Sequence, residues 1–351
     1  MRSVPDLADV RIVHLPRNIA GDPQATVDAE RALGADSRLV TIDGTGDGLA
    51  PDMDLKLEGV SVLMRHLTRV TRGLRAIARR DVAVFEYNSS VIDYPRLGLH
   101  LLDMRLPLLW TSCVRAVIFH GSDLRPLDSR WRATYEVSGT NVAWVRRRVE
   151  LARAHADLLY VKTPDLLHLL PESRWLPQAV HVETTRQQAS PERPSAFTIA
   201  HAPTRRSLKG TEAIVAAVKG MQTRGLHVHL DLVEGVSHAE VLDRFAAADL
   251  VIDQLLVGWY GVTSIEAMAL GVPVLCYIDA QLAELVAEMP PLIRAAPETL
   301  ESVLGRLLES RHELRTSAER GPEYAARVHS PANVARQLLT DALEVMARSR
   351  S

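Results

Sequence analysis

Short apolar, β-branched runs alternate along the chain with segments of helical periodicity. In the first half, the runs that read as buried strands are 10–15, 37–42, 82–86, 115–120 and 157–161. Helical patterns separate them, the first covering about residues 23–33. Strands that alternate with helices are typical of βαβ units, so the pattern predicts a parallel sheet.

The alternation stops at residues 171–195, which carry four prolines and show neither the helical nor the strand pattern of apolar residues. We interpret this segment as a linker. The alternation then restarts. The later predicted strands are 197–201, 227–232, 250–253 and 274–278, and the predicted helices are about 211–220, 238–247, 263–270 and 332–348. The sequence therefore predicts an α/β protein of two doubly wound, Rossmann-like domains, residues 1–183 and 184–332, with a cleft between them. Ligands of such sheets bind beyond the carboxyl ends of the strands.

Composition narrows the class of protein. The chain has 351 residues, 24% of them charged, with a formal net charge of −2. This balance favours a globular protein and argues against a general nucleic-acid binder. The two cysteines, Cys113 and Cys276, lie far apart, which excludes a disulfide framework and favours a reducing, cytoplasmic setting. No apolar run approaches a membrane span, and we expect no signal peptide.

The most informative segment covers residues 258–274. Gly261 lets the backbone approach a ligand closely, and a helix that begins near Thr263 points free N–H groups at an anion such as a diphosphate. Glu266, one turn into the helix, is placed to accept hydrogen bonds from sugar hydroxyls. The alternative is structural, because Thr263 and Glu266 also have the spacing of a capping box.

A second segment, residues 201–211, joins a predicted strand to a predicted helix. It carries Arg205, Arg206 and Lys209. Three cations in such a loop would neutralise a pyrophosphate and stabilise it as a leaving group. The alternative is a solvated, charged loop.

Taken in order, these segments resemble one family. Lys-Gly-Thr at 209–211, Ala-Asp-Leu-Val-Ile-Asp-Gln at 248–254 and Gly-x4-Glu-Ala-Met-Ala-x-Gly-x-Pro-Val from Gly261 resemble the nucleotide-sugar half of retaining GT-B glycosyltransferases of the GT4 type (glycosyl transferases group 1). Asn-Ile-Ala-Gly at 18–21 and Phe-His-Gly-Ser-Asp-Leu-Arg at 119–125 match the other half. The resemblance covers nearly the whole chain. It implies that the helix at 333–351 packs back on the first domain.

The resemblance also implies roles for individual residues. Glu266 would hold the donor ribose, the backbone amides of Val262 and Thr263 would meet the diphosphate, and Lys209 would bind phosphate. His120 resembles the histidine at the reaction centre, and Gly21 the glycine of the loop under the donor phosphates. His120 also has a structural alternative, since a histidine at a strand end can cap backbone groups.

Two positions depart from the family pattern. Gly258 stands where the family commonly has a glutamate that contacts the donor sugar, and Pro203 where it often has an arginine. Arg205 or Arg206 could replace that arginine from a shifted position. These departures keep two alternatives open: a degenerate relative that binds a nucleotide sugar or partners an active enzyme, and a nucleotide-sugar epimerase.

The acceptor side carries weaker signals. Asp123 and Arg125 would bind an acceptor or form a local ion pair. Residues 63–80 predict a basic helix, which would either contact an anionic membrane as a peripheral site or present a solvated face. The Asp-x-Asp at 52–54 lacks the preceding strand of a metal motif, and we interpret it as coincidence.

The sequence thus predicts a cytoplasmic glycosyltransferase of the GT-B fold. It would move a sugar from a nucleotide-diphosphate donor to a hydroxyl of a small-molecule, lipid-linked or glycan acceptor. The resemblance implies retention of anomeric configuration. We expect no metal and no cofactor, since the cations and the helix N-terminus would supply the positive charge that a metal supplies elsewhere.

Overall fold

The structure is a computed structural model. It describes residues 7–42, 51–55, 59, 61–94, 97–105, 113–137, 139–181 and 196–348. The chain forms two compact units, the first made of Met1–Ala179 with Pro331–Ser351 and the second of Val180–Ser330. Most of the proline-rich segment that we interpret as a linker, residues 182–195, lies outside the described residues.

The first unit contains a seven-stranded, parallel sheet, with strand order β3-β2-β1-β4-β5-β6-β7. Its strands are β1 (Arg11–Leu15), β2 (Asp36–Thr41), β3 (Met53–Asp54), β4 (Val82–Glu86), β5 (Val114–Phe119), β6 (Leu158–Val161) and β7 (Arg174–Trp175). Its helices are α1 (Asp22–Ala32), α2 (Val62–Ile77), α3 (Leu102–Arg105), α4 (Ser129–Val137) and α5 (Val142–His155).

The central strands are buried on both faces, which is why they read as unbroken apolar runs. Successive side chains of β4 and β5 alternate between two hydrophobic clusters. Phe85 and Phe119 belong to one cluster, and Val84 and Ile118 to the other. The period of two along each strand therefore places one cluster on each face of the sheet.

The second unit contains a five-stranded, parallel sheet with order β12-β11-β10-β8-β9. Its strands are β8 (Phe197–His201), β9 (Val228–Leu232), β10 (Leu250–Ile252), β11 (Val274–Cys276) and β12 (Ile293–Arg294). Its helices are α6 (Arg206–Lys209), α7 (Thr211–Thr223), α8 (His238–Ala247), α9 (Val262–Ala269), α10 (Leu300–Glu309) and α11 (His312–His329). Two parallel, Rossmann-like sheets confirm the predicted α/β class.

The last helix, α12 (Pro331–Arg348), packs on the first unit. Its buried residues, among them Leu338, join the cluster that contains Val84 and Ile118. Two hydrogen bonds fix its position: Tyr160 Oη donates to Asp341 Oδ2 at 2.7 Å, and Gln337 Nε2 donates to the carbonyl oxygen of Trp175 at 2.8 Å. In the described part of the chain, no helix is both long and apolar enough to cross a membrane.

Candidate functional site

His120 follows β5 directly and is fixed by a carboxylate at the end of the neighbouring strand. Its Nε2 lies 2.9 Å from Glu86 Oε2, and the two side chains are only 4% and 2% exposed. Burial disfavours the Glu86 carboxylate, but hydrogen bonds from His120 and His14 outweigh it and lower its pKa to about 2. Because an ionised carboxylate only accepts, Nε2 of His120 donates to Glu86, and Nδ1 is left for another partner.

The same carboxylate continues into a buried chain of polar side chains. Glu86 Oε1 lies 3.0 Å from His14 Nδ1, and Nε2 of His14 lies 3.2 Å from both oxygens of Glu30. Ser37 Oγ donates to Glu30 at 2.5 Å. Burial opposes the charge on His14, but Glu30 and Glu86 outweigh it and raise the pKa of His14 to about 10. A buried imidazolium thus holds Glu86 in place beneath His120.

Asp123 and Arg125 belong to the loop after His120, but they do not pair with each other. Asp123 accepts from the backbone N–H groups of His120 at 3.0 Å and Gly121 at 2.8 Å. Arg125 instead donates to both oxygens of Asp165, at 2.9 and 3.2 Å. The predicted local ion pair is therefore wrong. Gly121 has φ +127, and a Cβ there would overlap the Arg125 guanidinium, so the loop requires glycine.

Gly21 is the N-cap of α1, with φ 71 in the left-handed region. It closes the loop after β1, whose neighbours in the sheet are β2 and β4. The next residue, Asp22, is buried; it accepts from the backbone N–H of Ala179 at 2.7 Å and forms an ion pair with Lys162 at 2.8 Å. Gly21 and His120 therefore lie at the same edge of one sheet, where the carboxyl ends of parallel strands meet.

In the second unit, Lys209 is held beside the start of α9. Its Nζ forms an ion pair with Asp253 Oδ1. The other oxygen, Oδ2, accepts from the backbone N–H of Gly261 at 2.8 Å and from Ser264 Oγ at 2.7 Å. Asp253 is buried, which opposes its charge, but Lys209 and these donors lower its pKa. One carboxylate thus joins the end of β10 to α6 and α9.

In the described ranges, no side-chain hydrogen bond caps the start of α9. Gly261 is its N-cap, with φ −115, and Val262 and Thr263 form the first turn. A Cβ at residue 261 would lie 3.5 Å from Lys209 Nζ. The ammonium and the N-terminal amides of α9 are therefore neighbours, an arrangement that suits an anion.

The capping-box alternative for Glu266 is wrong. Thr263 is the second residue of α9 rather than its N-cap, so Thr263 and Glu266 do not form the reciprocal hydrogen bonds of a capping box. Glu266 Oε1 instead lies 2.7 Å from Nε2 of His238, the first residue of α8, and the Glu266 side chain is 13% exposed.

The three cations of the predicted loop lie in different surroundings. Lys209 is paired with the buried Asp253, whereas the exposed Arg206 donates to Glu234 at 2.9 and 2.6 Å. Arg205 is the exposed N-cap of α6, and within the described ranges no hydrogen bond or ion pair is recorded for its side chain. Arg206 and Lys209 are the first and last residues of the short helix α6, which the sequence did not predict.

His201, at the end of β8, supports this region. Its Nδ1 lies 2.8 Å from the carbonyl oxygen of Ile252, and its Nε2 lies 2.9 Å from Thr211 Oγ1. Burial lowers the pKa of His201. A neutral imidazole therefore joins β8, β10 and α7 around the loop that carries Lys209.

The basic helix predicted at residues 63–80 ends earlier, at Ile77. Arg69 does not belong to an outer basic face, because its Nε donates to the carbonyl oxygen of Leu55 at 3.1 Å. Arg72 is exposed, and so are Met64 and Leu67 on the same helix. The exposed surface of α2 is thus partly apolar.

Neither cysteine nor any acidic cluster in the described ranges offers a metal site. Cys113 and Cys276 are both free and buried. Among the residues that the structure describes, no group of three or more His, Cys, Asp or Glu side chains is placed to hold a metal ion.

Comparison with known proteins identifies the fold. No family model matches the chain. A segment of 255 residues is 26% identical to the MMP alpha-(1->4)-mannosyltransferase of Mycolicibacterium hassiacum; it covers 64% of this chain and 60% of that relative. Two solved structures match nearly end to end. Sucrose-phosphate synthase from Thermosynechococcus elongatus has a TM-score of 0.64 at 16% identity and covers 96% of this chain and 100% of its own.

The second structure is HepE of Anabaena in complex with UDP and glucose, with a TM-score of 0.63 at 13% identity, covering 94% of this chain and 98% of that one. At these identities the likeness concerns the fold. The two Rossmann-like sheets of this chain accordingly have the architecture of the GT-B glycosyltransferases.

Proposed function

We propose that the protein is a glycosyltransferase that takes its sugar from a nucleotide-diphosphate donor. The observation that carries the proposal is the position of Lys209, which Asp253 holds beside the uncapped N-terminus of α9. An ammonium and two or three amide N–H groups, directed at one place, fit a diphosphate. The HepE structure contains UDP, and the proposal extends that ligand class to this chain.

In this proposal the second unit stabilises the leaving group. As the bond between the sugar and the diphosphate breaks, negative charge grows on the phosphate oxygens. Fixed donors at that position stabilise the transition state more than the ground state. Lys209 and the amides of Val262 and Thr263 are such donors, with Arg205 as an additional exposed cation. We propose that they make the reaction independent of a metal ion.

Glu266 would accept hydrogen bonds from the donor ribose. Its carboxylate contacts His238, which is 69% exposed in its side chain and can move away when a ligand binds. His120 would position the transferred sugar or the acceptor through Nδ1, since Glu86 occupies Nε2. We propose retention of anomeric configuration from the resemblance, and we assign no nucleophile.

One observation favours a second candidate, a degenerate relative that binds a nucleotide sugar without transferring it. Gly258, where the family commonly has a glutamate, has φ +75, and a Cβ there would lie 3.4 Å from Asp279 Cβ. A non-glycine residue in this conformation is strained by about 1–2 kcal/mol. The loop is thus built without the family's carboxylate. An epimerase is the weaker alternative.

Turnover of donors separates the three candidates. The protein would be incubated, in EDTA, with UDP-, GDP-, dTDP- and ADP-linked hexoses, and NMR would follow nucleotide release and the anomeric proton of the sugar. With water as the acceptor, a retaining transferase releases one nucleoside diphosphate and a free sugar that first appears in the donor's anomeric configuration. Binding without release supports the degenerate relative, and inversion at a ring carbon of the sugar supports the epimerase.

A further inference from the structure

The first unit contains a cavity whose lining includes none of the predicted donor or catalytic residues. Its volume is about 200 Å³. The walls come from the loops after β1, β2 and β4 and from helices α2 and α5. In the strand order of this sheet, β1 and β4 are neighbours from which the chain proceeds in opposite directions. Such a switch point is where doubly wound sheets bind ligands.

The cavity is lined by three arginines from three different elements. They are Arg17 after β1, Arg69 on α2 and Arg148 on α5. The lining also includes one carboxylate, that of Asp93, which forms an ion pair with Arg148. Among the lining residues that the structure describes, guanidinium groups thus outnumber carboxylates, and planar guanidinium donors match phosphate and carboxylate oxygens.

Two of these arginines are fixed but have donors left over. Among the described residues, Arg69 is bonded through its Nε alone, to the carbonyl oxygen of Leu55, so its terminal nitrogens can serve a ligand. Arg148 gives one terminal nitrogen to Asp93, and its buried Nε has no acceptor within the part of the chain that the structure describes. A buried charged donor without an acceptor is costly, and a bound anion would satisfy it.

The cavity is joined to His120 through one aromatic ring. The guanidinium of Arg17 lies 5.6 Å from the centroid of the Tyr87 ring, and that ring lies 6.1 Å from the imidazole of His120. A ligand anchored at Arg17 is therefore one side chain away from the proposed reaction centre.

We propose that this cavity binds the phosphate group of a phosphorylated sugar or polyol, which is the acceptor. The role as acceptor rests on the proposed glycosyltransferase function, whereas binding of the phosphate does not. The remaining donors of Arg69 and Arg148 favour a phosphate monoester, which has three strong acceptor oxygens and a charge of about −1.5 to −2 at neutral pH, over a carboxylate with one charge. The volume suits a compact anionic group rather than a whole drug-sized ligand.

Calorimetric titration tests the proposal. The probes are inorganic phosphate, glucose 6-phosphate and glycerol 3-phosphate, with glucose, glycerol and glucuronate as controls. We expect at least one phosphate ester to bind and its neutral parent not to bind. Arg69→Gln should weaken that binding about tenfold or more, because a charged donor is lost. The matched control is Arg72→Gln, which changes an exposed arginine one turn along α2 and should leave the affinity unchanged.

The outcomes separate this site from the proposed function. UDP or another nucleoside diphosphate is titrated into the same variants, and Arg69→Gln should not affect it. Phosphate-ester binding without any nucleotide binding keeps the cavity site and overturns the proposed function. Nucleotide binding with no phosphate ester bound at 10 mM (about the weakest affinity of interest) overturns the cavity site. Glucuronate binding as tightly as glucose 6-phosphate overturns the choice of phosphate, as does an equal effect of Arg72→Gln.

Discussion

Glu86 and His120 are hydrogen-bonded at the carboxyl ends of two adjacent strands, with 2.9 Å between Oε2 and Nε2. The register of β4 against β5 brings them together, since Glu86 pairs with Ile118 and His120 follows two residues later. The hydrogen bond fixes the orientation of the imidazole ring. Glu86 is therefore a positioning residue for His120, and not a group that we expect to touch substrate.

The first prediction concerns Glu86→Gln. The amide still fits, but it no longer accepts from both histidines as a carboxylate does, so His120 loses a contact that fixes its orientation. We expect the rate of donor turnover to fall about tenfold to hundredfold, as for misplacement of a group that positions a substrate. Donor affinity, measured by calorimetry, should stay within about twofold.

The matched control for this prediction is Asp157→Asn, at the other end of the same sheet, where Asp157 forms an ion pair with Arg115 at 3.1 Å. Exposed ion pairs contribute about 0–1 kcal/mol to the free energy of unfolding, so this variant should stay folded. Because Asp157 lies far from His120 in the sheet, turnover by the variant should not change. Equal turnover by Glu86→Gln and the wild-type protein would show that His120 does not depend on Glu86.

The second prediction concerns alkaline pH. His14 has a pKa raised from 6.5 to about 10 in the folded protein. A raised pKa means that its contribution to stability is complete below pH 6.5 and is lost as the pH rises through 10. One proton corresponds to a slope of about 1.4 kcal/mol per pH unit. We expect the free energy of unfolding in urea to fall across this window.

Glu30→Gln tests the cause of that slope. It removes the charge that contributes most to raising the pKa of His14, so the loss of stability should level off at a lower pH. Glu86 affects stability at acid pH instead. Its pKa is lowered from 4.5 to about 2, so its contribution to the free energy of unfolding is lost only as the pH falls from 4.5 through 2. An unchanged alkaline slope in Glu30→Gln would contradict a charged His14.

The third prediction concerns Gly261→Ala. The φ of −115 suits any residue, and the new methyl group would make ordinary contacts, 3.4 Å from Asp253 Oδ2 and 3.5 Å from Lys209 Nζ. We therefore expect stability to change by less than about 1 kcal/mol. The methyl group would cover the ammonium, so nucleotide affinity should fall. Calorimetry checks affinity, and urea unfolding checks stability.

Gly305→Ala is the control for that experiment. Gly305 lies on α10 with open space around it, and alanine there should stabilise the helix by about 0.5–1 kcal/mol without affecting nucleotide binding. A Gly261→Ala protein with wild-type affinity would place the anion away from Lys209.

The fourth prediction concerns the last helix. Leu338 is fully buried where α12 packs on the first sheet. Leu338→Ala should lower the free energy of unfolding by about 2–5 kcal/mol, because it removes buried methyl groups and leaves a cavity. Arg336→Ala, on the exposed side of the same helix, should change it by less than about 0.5 kcal/mol. Equal effects of the two variants would contradict the docking of α12.

The pattern of apolar residues predicted the longer elements well. The bounds of β4, β8 and α8 match the sequence prediction residue for residue. Each is a segment with a clear pattern of apolar positions, bounded by polar or turn residues. The two-residue strands β3, β7 and β12 were missed, since two residues carry no period. The helix α11 was not predicted either, and it contains Pro322, a residue that is unfavourable inside a helix.

The site was predicted in part. Lys209 and Gly261 do lie close together, because the segments that follow β8 and β10 meet at one edge of the sheet, whereas the roles of the site residues stay predictions. The His14–Glu86 pair was missed, since its members are separated by 72 residues and meet only when β1 pairs with β4. A signal was nevertheless present: each is a titratable residue that directly follows buried apolar residues of its strand.

The arginines of the cavity were missed for the same reason. Arg17, Arg69 and Arg148 come from a loop and two helices that only the folded chain brings together. Arginine is so common in this sequence, with 37 copies, that no single one draws notice.

The most direct test of the account is nucleotide binding in the absence of metal. UDP, GDP, dTDP and ADP would be titrated in EDTA into the wild-type protein, Lys209→Gln and the control Lys219→Gln, which changes an exposed lysine on α7. Urea unfolding would first establish that Lys209→Gln is folded, because Asp253 loses its partner. We expect one diphosphate to bind, Lys209→Gln to weaken it about tenfold to hundredfold, and Lys219→Gln to have no effect. Failure of every nucleotide to bind, or wild-type affinity in Lys209→Gln, would contradict a donor site at the start of α9.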